Sequence, residues 1–332
     1  MRIGILGAAR IADTGILEPA RLLGHEVVAV AARDPKRAAA FAEARGIRRV
    51  HDSYLDLVED PDVDLVYNAL VNSKHTEWNI AALRAGKNVL CEKPLASNAL
   101  EAREVREVAA HSRGRVFEGF HYLHHPVNQK LDELVTSGGL GHIQRVEIIL
   151  TIPSPPADDP RWSLDLAGGA TMDLGCYVLD AARQLGRWIG SAPELRSATA
   201  TLRDPGVDAG MQVELTYSDG ITGRCRWDMD ASDRLMTWTV VGSAATAVSM
   251  AFGVPHLDNR LIVSRTTSAD DARATELRLG ERTSYTYQLE AVVTALTDGG
   301  TFVTDIDDAV ANAELIDSCY RSAGLRPRGQ VG

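Results

Sequence analysis

Short apolar runs alternate with helix-like stretches through the first third of the chain. Repeated strand-helix units of this length predict a parallel sheet with helices on both of its faces. The predicted strands are 2–6, 26–32, 49–50, 64–70, 88–91 and 115–120, and the predicted helices are 17–23, 35–44, 54–58, 72–86 and 98–111. Asn72 or Ser73 is expected to cap the helix at 72–86, and Asn98, with Glu101 three residues later, is expected to start the helix at 98–111.

The hydrophobic period changes in the second half of the chain. A β-like run at 142–152 precedes a proline-rich loop and a glycine-rich helix start at 168–180. Apolar and polar residues then alternate on both sides of an Asp-Gly turn at 219–220. This pattern predicts a mostly antiparallel sheet, with Trp227 and Trp238 in its core or at an interface rather than stacked on a substrate.

The first predicted strand ends in small residues. Gly4, Gly7 and Ala9 form a degraded relative of the G-x-G-x-x-G pattern, and a helical pattern follows them. Small residues let the backbone approach a pyrophosphate, which the N-terminus of the helix attracts. We therefore predict a doubly wound dinucleotide-binding Rossmann domain over residues 1–122.

The second predicted strand ends in Arg33 and Asp34, where an acid would bind the ribose of NAD. A guanidinium can instead pair with the 2′-phosphate of NADP. We expect NADP(H) as the cofactor, and Asp34 leaves NAD(H) possible.

The strand at 88–91 stops at Glu92, Lys93 and Pro94. In a parallel sheet, ligands bind beyond the carboxyl ends of the strands, where Lys93 and Asn72 are both expected to lie. Lys93 can act chemically there, or it can be a solvated residue of a turn. We expect the Lys93-Pro94 peptide bond to be cis.

Two further segments complete the predicted architecture. Residues 123–304 are expected to form an α+β domain with a large, mostly antiparallel open sheet, which holds the substrate and supports a homodimer or homotetramer. The helix at 305–324 is expected to pack back on the Rossmann domain.

Charge and composition exclude several classes of function. The chain has 332 residues and a net charge of -10, so a nucleic-acid partner is not expected. It has no signal-like start and no run of roughly 18 apolar residues, so we expect a cytoplasmic protein without a membrane segment. The four cysteines are scattered, and no thiolate or carboxylate near 121–125 completes a metal site with the histidines there.

Three stretches, 3–12, 72–95 and 168–177, resemble the glucose-fructose oxidoreductase/inositol dehydrogenase family, usually called Gfo/Idh/MocA, and the similarity extends over nearly the whole chain. The resemblance implies a Rossmann domain, a C-terminal α+β domain, a bound nicotinamide cofactor and a lysine, here Lys93, that acts on the substrate oxygen. Most members have a histidine where this chain has Tyr177. A branch that looks like dimeric dihydrodiol dehydrogenases, NADP-dependent xylose dehydrogenases and sugar ketoreductases has a tyrosine there.

The resemblance also suggests a role for each site residue. Tyr177 would exchange the proton, Lys93 would stabilise the alkoxide, and Asp173 would orient Lys93 or a substrate hydroxyl. The residues expected to hold the cofactor are Gly7, Ala8, Ala9, Arg10, Ile11, Arg33, Asn72, His75, Glu92 and Lys93. The candidates for substrate contact are Tyr122, His125 and Trp162.

We therefore expect hydride transfer between the nicotinamide and a secondary alcohol or ketone of a sugar, a sugar derivative or a cyclic diol. Many relatives carry an arginine near the position of Leu123, so the substrate here can differ from theirs. Two alternatives stay open: a redox-neutral glycoside-cleaving enzyme with tightly held NAD, and a catalytically silent NAD(P)-binding sensor.

Overall fold

The computed structural model describes residues 1–265 and 274–329. The strands are β1 (Arg2–Leu6), β2 (Glu26–Ala31), β3 (Arg49–His51), β4 (Leu65–Asn68), β5 (Asn88–Cys91), β6 (Val116–Glu118), β7 (Ile143–Pro153), β8 (Glu194–Asp204), β9 (Val207–Thr216), β10 (Thr222–Ala231), β11 (Leu235–Gly242), β12 (Ala245–Ser249), β13 (Arg260–Arg265) and β14 (Ala274–Arg278). The α-helices are α1 (Glu18–Leu22), α2 (Pro35–Arg45), α3 (Tyr54–Glu59), α4 (His75–Arg84), α5 (Ala99–Ala110), α6 (Pro126–Thr136), α7 (Cys176–Ile189), α8 (Ser284–Asp298) and α9 (Ile306–Ser322).

The chain divides into two compact units. The first contains Met1–Phe120 and Tyr285–Ala313, and the second contains His121–Ser284 and Glu314–Gly332. In the described parts of the chain, none of the helices is long and apolar enough to cross a membrane.

The first unit is built on a six-stranded sheet in the order β3-β2-β1-β4-β5-β6. The pairings in this sheet are parallel, as the sequence predicted. Alternate residues of each strand enter separate apolar clusters: Ile5 and Leu90 pack in one, and Leu6 and Val89 pack in the other. Both faces of the sheet are therefore buried, which explains why its strands are continuous apolar runs.

Side-chain caps set the start of several helices in this unit. Asp34 accepts hydrogen bonds from the backbone at the start of α2, and Asn98 does the same for α5, as its sequence pattern predicted. The expectation that Asn72 or Ser73 caps α4 is wrong. These residues form a 3-10 turn ahead of the helix, and its N-cap, Lys74, makes no side-chain cap hydrogen bond.

The second unit is built on an eight-stranded sheet in the order β14-β13-β12-β11-β7-β10-β9-β8. Its pairings are mostly antiparallel, as predicted, although β7 and β10 run parallel. Exposed Arg145 and Glu147 alternate along β7 with buried apolar residues, so one face of this sheet is polar. Trp227 and Trp238 are buried at 1% and 0% exposure, which confirms them as core residues.

Candidate active site

The turn after β1 leaves no room for a side chain. Gly7 has a φ of +96°, and a Cβ placed on it would lie 3.1 Å from Leu70 Cδ2 and 3.2 Å from the carbonyl oxygen of Ala69. The Gly7 amide donates to the carbonyl of Ala31 at 2.8 Å, so the turn is tied to β2. A close backbone approach of this kind is what a dinucleotide pyrophosphate requires.

The helix after this turn lies directly on the sheet. It opens with a π-helical turn at Asp13–Leu17, and a Cβ on Gly15 would overlap the hydroxyl of Tyr67. That hydroxyl donates to the buried carboxylate of Glu92, whose pKa burial raises above its ordinary value. Sequence reasoning missed Gly15, which allows the close helix-strand packing that the third glycine of the dinucleotide-binding pattern provides.

The turn after Gly7 is joined to the start of the next helix by backbone hydrogen bonds. The carbonyl of Ala9 accepts from the amide of Ala12 at 3.1 Å, and that of Arg10 accepts from Asp13 at 3.2 Å. Arg10 is exposed, whereas Ile11 is half-buried against the apolar cluster beneath it. The predicted cofactor residues 7–11 therefore all lie in the turn between β1 and the helix that follows it.

Two exposed arginines follow β2: Arg33 lies in the turn after the strand, and Arg37 lies in α2. Arg33 donates its backbone amide to the hydroxyl of Tyr54 at 3.0 Å, and Arg37 Nη2 donates to the carbonyl of Ala8 at 2.8 Å. Asp34, the acid that leaves NAD(H) possible, uses Oδ1 to cap α2, accepting from the amide of Arg37 at 3.4 Å. Sequence reasoning missed Arg37, because nothing in a helix-start sequence shows that this side chain folds back to the first turn.

Lys93 follows β5 in a turn that its neighbours hold. The Lys93-Pro94 peptide bond is cis, which confirms the expectation. His75 is buried, and its ring nitrogens lie 2.7 Å from the carbonyl of Pro94 and 2.9 Å from that of Leu70. Burial lowers the pKa of His75. This ring therefore supports the turn that carries Lys93, and Asn72 lies half-buried in the 3-10 turn just before His75.

In the second unit, the helix that carries Asp173 and Tyr177 begins with a π-helical turn at Thr171–Gly175. A Cβ on Gly175 would lie 2.7 Å from Trp227 Cε2, and the indole nitrogen of Trp227 donates to Thr171 Oγ1 at 3.0 Å. The start of this helix is therefore fixed on β10.

Tyr177 is 9% exposed, and its hydroxyl lies 3.0 Å from Nε2 of the buried His121. Asp173, one turn earlier, lies 3.3 Å from Arg161 Nη1, and Arg161 also pairs with Asp159 at 2.9 Å. Neither His121 nor Arg161 was among the predicted site residues. The sequence contained a signal for His121, since it opens the histidine-rich segment 121–125.

The three candidates for substrate contact are buried in the second unit. The hydroxyl of Tyr122 donates to Asp180 at 2.5 Å, and His125 Nδ1 accepts from the backbone at the start of α6. Trp162 is 7% exposed and has the guanidinium of Arg203 4.2 Å above its ring. Each of these side chains thus has a partner within its own unit.

The two halves of the chain match two family descriptions. Residues 1–120 match "Oxidoreductase family, NAD-binding Rossmann fold", and residues 128–248 match "GFO/IDH/MocA C-terminal domain". The resemblance inferred from the sequence is therefore confirmed.

Similar proteins are named as dehydrogenases and reductases. The chain is 33% identical to D-xylose 1-dehydrogenase (NADP(+)) 2 of Haloferax volcanii, with 97% of both chains covered. It is 32% identical to dTDP-3,4-didehydro-2,6-dideoxy-alpha-D-glucose 3-reductase of Streptomyces antibioticus, with 98% of both covered. The crystal structure of KijD10, a 3-ketoreductase from Actinomadura kijaniata in complex with NADP and TDP-benzene, superposes with a TM-score of 0.87 at 29% identity, with 98% of both chains covered. With both of its halves matched, this chain belongs to the GFO/IDH/MocA family of oxidoreductases.

Proposed function

We propose that this protein is an NADP(H)-dependent oxidoreductase that acts on a secondary alcohol or ketone of a sugar, a sugar derivative or a cyclic diol. The observation that carries the proposal is the phenol of Tyr177, held at the start of a helix with its hydroxyl 3.0 Å from an imidazole nitrogen. A positioned phenol beside an imidazole is a group that can give and take a proton. The xylose dehydrogenase and the ketoreductase similar to this chain act on sugars or their derivatives, which supports the substrate class.

The first unit fits a dinucleotide. The positive φ of Gly7 and its close contacts with Ala69 and Leu70 exclude a side chain at this position. The helix that follows begins at Asp13, so its N-terminal backbone amides are available near the turn for a pyrophosphate. When bound, the nicotinamide supplies or accepts the hydride. Arg33 and Arg37 offer guanidinium groups to a 2′-phosphate, whereas Asp34 is engaged as a cap.

Two side chains have separate chemical roles in this proposal. The ammonium of Lys93 stabilises the negative charge that develops on the substrate oxygen, and Tyr177 exchanges the proton. The carboxylate of Asp173 pairs with Arg161. We propose that this pair orients a substrate hydroxyl.

Replacement of Tyr177 tests the proton role. Tyr177→Phe should lower kcat about 100-fold to 10,000-fold, because it removes the exchangeable proton, and it should leave the Kd for NADPH unchanged. Lys93→Met should lose more. The assay follows NADPH absorbance over pentoses, hexoses, cyclic diols and keto-sugars in both directions, and undiminished turnover by Tyr177→Phe would disprove the assignment.

Replacement of Arg33 tests the cofactor preference. Arg33→Ala should raise the KM for NADPH about tenfold or more and change the KM for NADH little, because only NADPH carries the 2′-phosphate. Arg37→Ala should likewise raise the KM for NADPH more than the KM for NADH. The exposed Arg84, at the end of α4, is a matched control. An equal change for both cofactors would contradict the proposed role.

We also propose that the polar face of the second sheet joins copies of the chain in a homodimer or homotetramer. Exposed Arg145, Glu147 and Arg224 on this face offer charges of both signs. A mass measurement in solution at low and high salt tests this, and a monomer under both conditions would refute it.

We also propose that the protein is cytoplasmic, because its four cysteines are free thiols, as in proteins of a reducing compartment.

A further inference from the structure

The second unit contains a continuous series of hydrogen-bonding groups that begins at Tyr177. The hydroxyl of Tyr177 lies 3.0 Å from His121 Nε2, and His121 Nδ1 lies 2.8 Å from Ser284 Oγ. The same Ser284 oxygen lies 2.9 Å from Nδ1 of His256. Two side chains, those of His121 and Ser284, thus link the phenol to His256, which lies 79 positions after Tyr177 in the sequence.

The series runs from a buried end to an exposed end. Tyr177 is 9% exposed, His121 is 1% exposed and Ser284 is 0% exposed. His256 is partly exposed and precedes Leu257, which is 67% exposed. A proton that reaches His256 is therefore close to solvent, whereas the groups before it are enclosed by protein.

Each link can both donate and accept a hydrogen bond, since hydroxyls do so and a neutral imidazole has one donor and one acceptor nitrogen. We propose that His121, Ser284 and His256 form a proton relay that connects Tyr177 with solvent. This inference rests on the proposed function of Tyr177 as the proton-exchanging group. His121 and Ser284 act through Tyr177 and are positioning residues, because they touch neither the substrate nor the cofactor in this scheme.

The proton balance of the relay is complete in both directions. When a ketone is reduced, Tyr177 gives its proton to the new alkoxide and takes one from His121 Nε2. His121 then accepts a proton at Nδ1 from the hydroxyl of Ser284, and Ser284 accepts one from His256 Nδ1. One proton enters at His256, one leaves at Tyr177, and alcohol oxidation reverses each transfer. The nicotinamide carries the hydride in the proposed reaction, so no further reagent is needed.

Tyr122 and His125 are neighbours of the relay. The ring of Tyr122 lies 5.7 Å from that of Tyr177, and the hydroxyl of Tyr122 is bound to the carboxylate of Asp180. On the other side lies His125, whose pKa is lowered to about 4, first by burial and then by His256. His125 is therefore neutral near pH 7.

The first experiment does not depend on activity. Histidine ring nitrogens labelled with 15N are followed by NMR against pH in the full chain with NADPH present, with His121 and His256 assigned from His121→Gln and His256→Gln. Protonation of His256 should shift the His121 signals in the wild type, and Ser284→Ala should abolish that linked shift. Ser249→Ala is the matched control, since it removes another buried hydroxyl of the same unit, which donates to Asn128 at 3.2 Å.

The second experiment measures turnover on the best alcohol of the substrate screen, with D-xylose as the first probe. Ser284→Ala should lower kcat about tenfold, a part of the acid-base contribution, with an unchanged KM for NADPH and a larger solvent isotope effect in D2O. Ser284→Thr, which keeps the hydroxyl, should restore kcat. Added imidazole should partly restore His121→Ala.

The outcomes separate the two proposals. If Tyr177→Phe loses turnover while Ser284→Ala behaves like Ser249→Ala, the relay is overturned and the role of Tyr177 stands. If Tyr177→Phe keeps full turnover, both are overturned. If the linked NMR shift is absent in the wild type or persists in Ser284→Ala, the relay is overturned whatever the substrate.

Discussion

Arg328, near the end of the chain, is expected to be a main stabilising residue of the second unit. Its side chain is 1% exposed, and its Nη2 lies 2.5 Å from the fully buried carboxylate of Asp208. Its Nε donates to the carbonyl of Gly168 at 2.6 Å. The same carboxylate accepts from the amide of Thr171 at 2.6 Å and from the hydroxyl of Tyr320 at 3.2 Å. This network therefore fixes the turn from which the helix of Tyr177 starts.

Arg328→Met would leave the Asp208 carboxylate buried without its cationic partner. Breaking a buried pair in this way costs about 3–5 kcal/mol, because the remaining charge is neither solvated nor neutralised. In a unit of this size, 1 kcal/mol shifts Tm by about 2–4 °C, so the expected loss is roughly 6–20 °C. Replacing both partners, with Asp208→Asn added, should recover part of the loss, because no charge is then buried unpaired.

Calorimetry or circular dichroism on the single and double variants measures this loss. Arg278→Met is the control: Arg278 is 64% exposed and pairs with Glu276 at the sheet edge, so its removal should change Tm little. A Tm change for Arg328→Met no larger than that of Arg278→Met would refute the reasoning. So would a double variant as unstable as the sum of its two single variants, since the pair would then have no coupling.

Two further predictions concern packing and pH. Gly15→Ala should weaken NADPH binding, measured by titration, and lower the stability of the first unit, measured by urea unfolding, because the new methyl group overlaps the hydroxyl of Tyr67. Gly300→Ala is the control, since a Cβ at that position meets open space. Equal behaviour of the two variants would contradict the prediction. Burial lowers the pKa of His124 and of His125 from 6.5 to about 4, so the unfolded chain binds protons between these pH values that the folded chain does not. The free energy of unfolding should therefore fall as the pH drops from 6.5 towards 4, and His124→Gln should make this slope shallower in urea unfolding; a slope that His124→Gln leaves unchanged would argue against a buried neutral histidine.

The sequence determined the kind of sheet in each half of the chain. Continuous apolar runs joined by helical segments gave a parallel sheet with both faces buried, and alternation around the turn at 219–220 gave an antiparallel one. These features are local, because the spacing of apolar residues reports directly which faces of a strand are covered. The cis peptide bond before Pro94 was also predicted from its motif. The predicted cap of α4 was wrong, since a short polar stretch can equally form a separate 3-10 turn.

Contacts between residues far apart in the sequence were decided only by the tertiary structure. Tyr177 was expected from its motif, but its partner His121 lies 56 positions earlier and was not among the predicted site residues. The pair of Arg328 and Asp208, 120 positions apart, had no signal in the sequence at all. Hydrophobic period and turn residues specify which elements form and which face is buried, whereas a hydrogen bond between two elements depends on how they pack to within a fraction of an ångström. Local pattern therefore predicted the parts of the candidate site that follow strand ends, and packing alone brought the side chains of the relay together.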